Sequence, residues 1–112
     1  MGAAQIPPDG FSVRTEEDGD ALVVRASGDL DLSVAEEFEH ELRRAIATDA
    51  SAVFLDLGKL EFIDSTGLRA LIMAAKQSSM NGDNLHILRS VSPAVERAFQ
   101  VAGLTDSLPF AD

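Results

Sequence analysis

The sequence contains no cysteine. That absence removes disulfide staples, thiolate metal sites and cysteine nucleophiles together, and it suits a reducing compartment. Positive charge is also scarce: nine Lys and Arg stand against nineteen Asp and Glu, a formal net charge of −10. Such a surface repels phosphate backbones and anionic lipids alike, so neither direct nucleic-acid binding nor membrane insertion is expected. Long hydrophobic runs are missing as well. The most apolar stretch, Leu68 to Ala75, is broken by Arg69 and falls far short of the about 20 residues that span a bilayer. Met1-Gly2-Ala3-Ala4-Gln5-Ile6 has no charged region or apolar signal core, and Ile6 stands where a myristoylation signal wants Ser or Thr. A soluble, cytoplasmic protein is the expectation.

Patterns that carry chemistry are equally sparse. There is no Gly-rich dinucleotide fingerprint, and Gly58-Lys59 is not a phosphate loop, because Val53 holds the required upstream glycine position and Leu60 follows the lysine. The two histidines, His40 and His86, fall on different elements with no carboxylate at metal-site spacing. His40 is expected to face solvent and His86 to pack within a strand. The abundant carboxylates read as a solvated surface. No enzyme active site, cofactor or metal is expected.

What is present is an ordinary globular composition, 46% apolar and 25% charged over 112 residues, which fits one domain. A chain of this size buries roughly two thirds of its unfolded surface and needs no covalent staple. Pro7, Pro8 and Gly10 mark residues 1–10 as a flexible leader, and residues 11–112 as the folded domain. Phe11 to Thr15 alternates, Glu16 to Asp20 supplies an acidic turn, and Ala21 to Ser27 is rich in β-branched residues, which together predict a hairpin. Ser33 with Glu36 has capping-box spacing, and Val34, Phe38, Leu42 and Ile46 predict a helix to about Thr48. Ala52 to Leu57 reads as a strand buried on both faces. After Asp64, the positions Leu68, Leu71, Ile72 and Ala75 predict a second helix, ended by Asn81-Gly82. Leu85 to Leu88 is the next strand. Ser92-Pro93 opens a third helix with the stripe Val95, Phe99 and Ala102, closed by Gly103, and Leu108-Pro109-Phe110 reads as an edge strand. This order predicts an α/β single domain: a mixed, mainly parallel sheet of four to five strands packed with three or more helices.

One segment stands apart. Asp64-Ser65-Thr66-Gly67 places two hydroxyls at a helix N-terminus beyond the carboxyl end of a strand, where open parallel sheets put function. Capping alone accounts for Asp, Ser and Thr there. Gly67 is less simply explained, since glycine costs up to about 1 kcal/mol relative to alanine in a helix, and it points to close approach by another group.

Phe62-Ile63-Asp64-Ser65-Thr66-Gly67-Leu68 resembles the phosphorylation-site signature of the anti-sigma factor antagonists of the STAS domain family. Gly28-Asp29-Leu30-Asp31, Val53 to Leu57 and Ser92-Pro93-Ala94-Val95 agree with that family in order, so the resemblance spans about residues 11 to 110. It implies a STAS-like fold in which Ser65 is phosphorylated by a partner that is both anti-sigma factor and serine kinase, with Thr66 as the adjacent alternative. A serine phosphatase would reverse the mark. Asp31 is expected beside the switch serine, Asp64 flanks it, and Asp29, Thr66, Gly67, Leu68 and Arg69 complete the expected partner-binding surface. Arg69 either faces solvent or meets an acidic partner. A second reading keeps the same fold as an unphosphorylated adaptor in a larger signalling or transport assembly.

Overall fold

The computed structural model describes residues 10–111, so the leader expected over residues 1–10 lies, Gly10 apart, outside the described residues. The hairpin forms as strand β1 (Ser12–Asp18) and strand β2 (Ala21–Leu30), paired antiparallel from Ser12 opposite Ser27 to Asp18 opposite Ala21. The acidic turn is shorter than expected, because Glu16 to Asp18 belong to β1 and only Gly19 and Asp20 turn the chain. Glu16 sits comfortably in the strand since its carboxylate meets Arg14 at 3.2 Å and Arg25 at 3.2 Å. Cross-strand neighbours of opposite charge favour that pairing.

Helix α1 (Ala35–Ile46) buries Phe38, Leu42, Ala45 and Ile46. Its expected capping box does not form. Val34 occupies the cap position without a side-chain bond, because Ser33 donates both its amide (3.0 Å) and its hydroxyl (2.6 Å) to Oδ1 of Asp31. A local turn around an aspartate has outcompeted the helix for that serine.

Strand β3 (Val53–Ile63) runs six residues past the apolar stretch that announced it. Its second half is held by parallel pairing with β2, where Lys59 lies opposite Ser27, Leu60 opposite Gly28, Phe62 opposite Asp29 and Ile63 opposite Leu30. Helix α2 (Ser65–Met80) follows, then strand β4 (Leu85–Ile87) and helix α3 (Pro93–Val101). Ser92 caps α3 as expected, accepting the Val95 amide at 3.3 Å. Ala102 is exposed at that helix's end instead of completing its buried stripe. The expected last strand is reduced to a single parallel bridge from Phe110 to Ile87. The proline blocks no ladder bond, since Pro109 contributes only its carbonyl, which accepts the Ile87 amide at 2.9 Å.

The sheet therefore has four strands in the order β1-β2-β3-β4, with β2, β3 and β4 parallel. Helices α1 and α2 provide the crossovers between those three strands. Val24, Val53, Leu55, Leu57 and Ile87 of the strands join Phe38, Leu42, Leu71 and Ala74 of these helices in one buried cluster. His40 is exposed on α1, while His86 stacks on Phe54 with ring centroids 5.5 Å apart.

Between β1 and the end of β2 the chain crosses itself closely. Gly28 has φ +93°, and a Cβ there would collide with the Gly10 carbonyl. The crossing also coincides with breaks in the β2–β3 register on either side of Ser27-Gly28. Gly28→Ala is expected to lower unfolding stability by at least about 2 kcal/mol, from positive-φ strain plus the collision. Urea denaturation measures it, and an unchanged midpoint would contradict this crossing.

Candidate functional site

Parallel pairing brings the ends of β2 and β3 side by side, and the site is built on that edge. The Asp64 amide donates to the Leu30 carbonyl at 3.1 Å, so the exit of one strand is tied to the exit of the other. Asp64 then turns extended (φ −105°, ψ −174°) and caps α2, its Oδ1 accepting the Gly67 amide at 3.0 Å. The other carboxylate oxygen, Oδ2, accepts the Leu32 amide at 3.2 Å. One side chain thus satisfies an orphan donor of the helix and holds the loop that precedes α1.

Gly67 explains itself in this frame. A Cβ there would stand 2.8 Å from Cγ1 of Ile63, 2.8 Å from Cγ of Leu30 and 3.1 Å from the Leu30 carbonyl oxygen. The close approach implied by the sequence is therefore met by the protein's own strand ends. Glycine lets the first turn of α2 sit directly on the sheet edge, where Leu30 and Ile63 are both buried.

The remaining sequence-nominated residues divide by position. Ser65 is the first residue of α2 and is exposed; among the described residues its hydroxyl has no hydrogen-bond partner. Thr66 is half-buried, and Leu68 packs partly against the core. Arg69, one turn on from Ser65, is exposed. Asp31 sits in the loop tied to Asp64, but its Oδ1 is engaged by Ser33, so it shapes that loop from within. Asp29 is exposed at the end of β2, opposite Phe62.

Two exposed apolar residues were not nominated for the site, although Phe62 opens the signature stretch. Leu32 is 74% exposed and Phe62 48% exposed; Leu32 lies in the loop before α1, where Asp64 holds its amide, and Phe62 lies in β3 two residues before Asp64. The signal that could have found Leu32 was an apolar residue isolated between Asp31 and Ser33, where no helix or strand period claims it. Phe62 was hidden by the expectation that β3 ended at Leu57. Among the described residues no cluster of His, Asp and Glu could hold a metal ion. No helix among the described residues is long and apolar enough to cross a membrane.

A mixed four-stranded sheet with helical crossovers and an exposed serine at its carboxyl edge defines a class, the small α/β domain built on one sheet. The comparisons make this particular. The STAS domain family matches residues 12–112. The anti-sigma-B factor antagonist of Staphylococcus epidermidis is 30% identical over 96 residues, covering 86% of this chain and 88% of that protein. A crystal structure of an anti-sigma factor antagonist from Mycobacterium paratuberculosis superposes with a TM-score of 0.80 at 25% identity, covering 95% of this chain and 89% of that one. The unphosphorylated SpoIIAA structure gives a TM-score of 0.73 at 23% identity, covering 90% and 89%, which supports the fold. The chain belongs to the STAS domain family, among the anti-sigma factor antagonists, a group of regulatory proteins and not enzymes.

Asp64→Ala is expected to cost about 1 to 2 kcal/mol of stability, because the cap and the Leu32 tie are lost together. Asp64→Asn, whose amide oxygen can still cap, is expected to lose less than half of that. Equal losses in urea denaturation would show that the acceptor facing Leu32, which Asn replaces with an NH2 donor, contributes as much as the cap.

Proposed function

We propose that this antagonist is the phosphorylatable member of a partner switch. Unmodified, it binds an anti-sigma factor serine kinase and so releases a sigma factor. Transfer of the ATP γ-phosphoryl group to the Ser65 oxygen, with loss of the hydroxyl proton and release of ADP, blocks that binding, and a serine phosphatase restores it. The observation that carries the reading is the Ser65 hydroxyl, exposed and unengaged at the head of a helix that Asp64 fixes from behind. Thr66 is the weaker acceptor because it is half-buried. A related fold, SpoIIAA of Bacillus, has been solved in a phosphorylated form (TM-score 0.65, 22% identity), which supports modification of such a domain. These partners work in the cytoplasm, where we place the protein.

Physical chemistry explains how one group could switch binding without refolding the domain. The phosphate adds about −1.5 to −2 charges, which a helix N-terminus stabilises by about 0.3 to 1 kcal/mol. The nearby Asp64 carboxylate opposes it by a comparable amount, so the fold is left nearly as stable as before. The partner meets a different situation, since a dianion would have to be desolvated where Leu32 and Phe62 offer apolar contact.

Incubation with the cognate kinase and ATP, followed by mass spectrometry, should place one phosphate on Ser65 and none on Ser65→Ala. Ser65→Ala should bind the kinase about as tightly as wild type, and Ser65→Asp at least about tenfold more weakly. Label confined to Thr66, or tight binding by Ser65→Asp, would overturn the assignment.

A further inference from the structure

Helix α2 differs in charge from everything around it. In a chain with nineteen acidic residues, its sixteen residues include none, and its two ionic groups are both cations, Arg69 and Lys76. Arg14, Arg25, Arg43 and Arg44 all sit in ion pairs with carboxylates of the protein. Arg69 and Lys76 pair with no described residue, and both are exposed.

Their placement is not scattered. At 3.6 residues per turn, Ser65, Arg69, Met73, Lys76 and Met80 fall within an arc of about 80°. All five are exposed, and the two methionines keep 42% and 84% of their surface in solvent. The buried side of the helix, Gly67, Ala70, Leu71, Ala74 and Ser78, lies opposite. Toward α1 the helix presents Gln77, whose Nε2 donates to the Arg43 carbonyl at 3.3 Å, so α1 does not cover the strip. The result is a straight ridge about 22 Å long, from Ser65 to Met80, that alternates cation and flexible thioether.

We propose that this ridge docks an acidic segment of the same partner that meets Ser65, with carboxylates on Arg69 and Lys76 and apolar side chains against Met73 and Met80. This deepens the partner-switch reading and rests on it. Charge complementarity identifies the occupant: in a chain of net charge −10, α2 carries two exposed cations and no carboxylate, and their common line from Ser65 fixes the register of docking. Methionine suits the apolar part because its unbranched chain adapts to the surface it meets. The ridge also begins at the switch. Arg69 lies four residues after Ser65, the spacing at which an anion and a cation pair on one helix face. A phosphate on Ser65 therefore competes with the partner's carboxylate for the same guanidinium.

The decisive variant is Lys76→Glu, about 16 Å along the helix from Ser65 and outside the phosphate's reach. Binding of the purified kinase should weaken about three- to tenfold for Lys76→Glu and at least as much for Arg69→Glu, mainly through slower association at low salt. Arg97→Glu, an exposed charge reversal on α3, should bind like wild type. The melting temperature of each variant reports whether it remains folded. If Ser65→Asp abolishes binding while Lys76→Glu binds like wild type, the ridge is not the docking surface and the switch stands. If Lys76→Glu weakens binding and Ser65→Asp does not, the ridge stands and the switch fails.

Discussion

The site depends on the two-sided hydrogen bonding of Asp64. One oxygen caps α2 through Gly67 and the other holds the Leu32 amide, while the Asp64 backbone is tied to Leu30. Three elements that are distant in sequence meet at this residue: the end of β2, the end of β3 and the start of α2. Their union is possible only because Gly67 has no side chain to separate the helix from Leu30 and Ile63. The serine that follows is consequently presented on a fixed support with its hydroxyl free. A switch residue needs both properties, since a mobile serine would blunt the difference between its two states and an engaged one could not be modified.

The same economy shows in the charges. Most of the negative surface solvates the protein, while Glu16, Glu39, Glu41 and Asp56 pair with its own arginines. Along α2 the balance changes, with exposed Arg69 and Lys76 and no carboxylate in the helix. A single modification placed at the meeting point of these features alters the local potential far more than it alters the fold. In the proposed switch, a large effect on binding with a small effect on stability follows from the geometry of Asp64 and Ser65.

Much of this was legible in the sequence, because periodicity reports burial directly. The stripe Val34-Phe38-Leu42-Ile46 is core, and Val53, Leu55 and Leu57 are fully buried. Of the α2 positions Leu68, Leu71, Ile72 and Ala75 only Leu71 is fully buried, because the helix is rotated to seat Gly67, Ala70, Leu71 and Ala74 on the sheet. The costly glycine correctly implied a close approach. The misreadings share a cause in contacts between residues far apart in the chain. Residues 58–63 have no clean alternation, and become strand through pairing with β2. Ser33 looked like a helix cap until Asp31 captured it. Leu32 gained interest only once Asp64 was seen to hold its amide, and Phe62 once β3 was seen to run on to Ile63.

The central claim is that phosphate changes the charge of a preformed surface and leaves its support intact. Two-dimensional amide NMR of the protein carrying phosphoserine at position 65, compared with the unmodified protein, tests this most directly. Shift changes confined to Ser65 through Arg69 and the facing loop, Leu30 through Ser33, are the predicted result. Changes spread through β1, β4 and α3, or loss of spectral dispersion, would contradict it and require a switch that works by rearranging the fold.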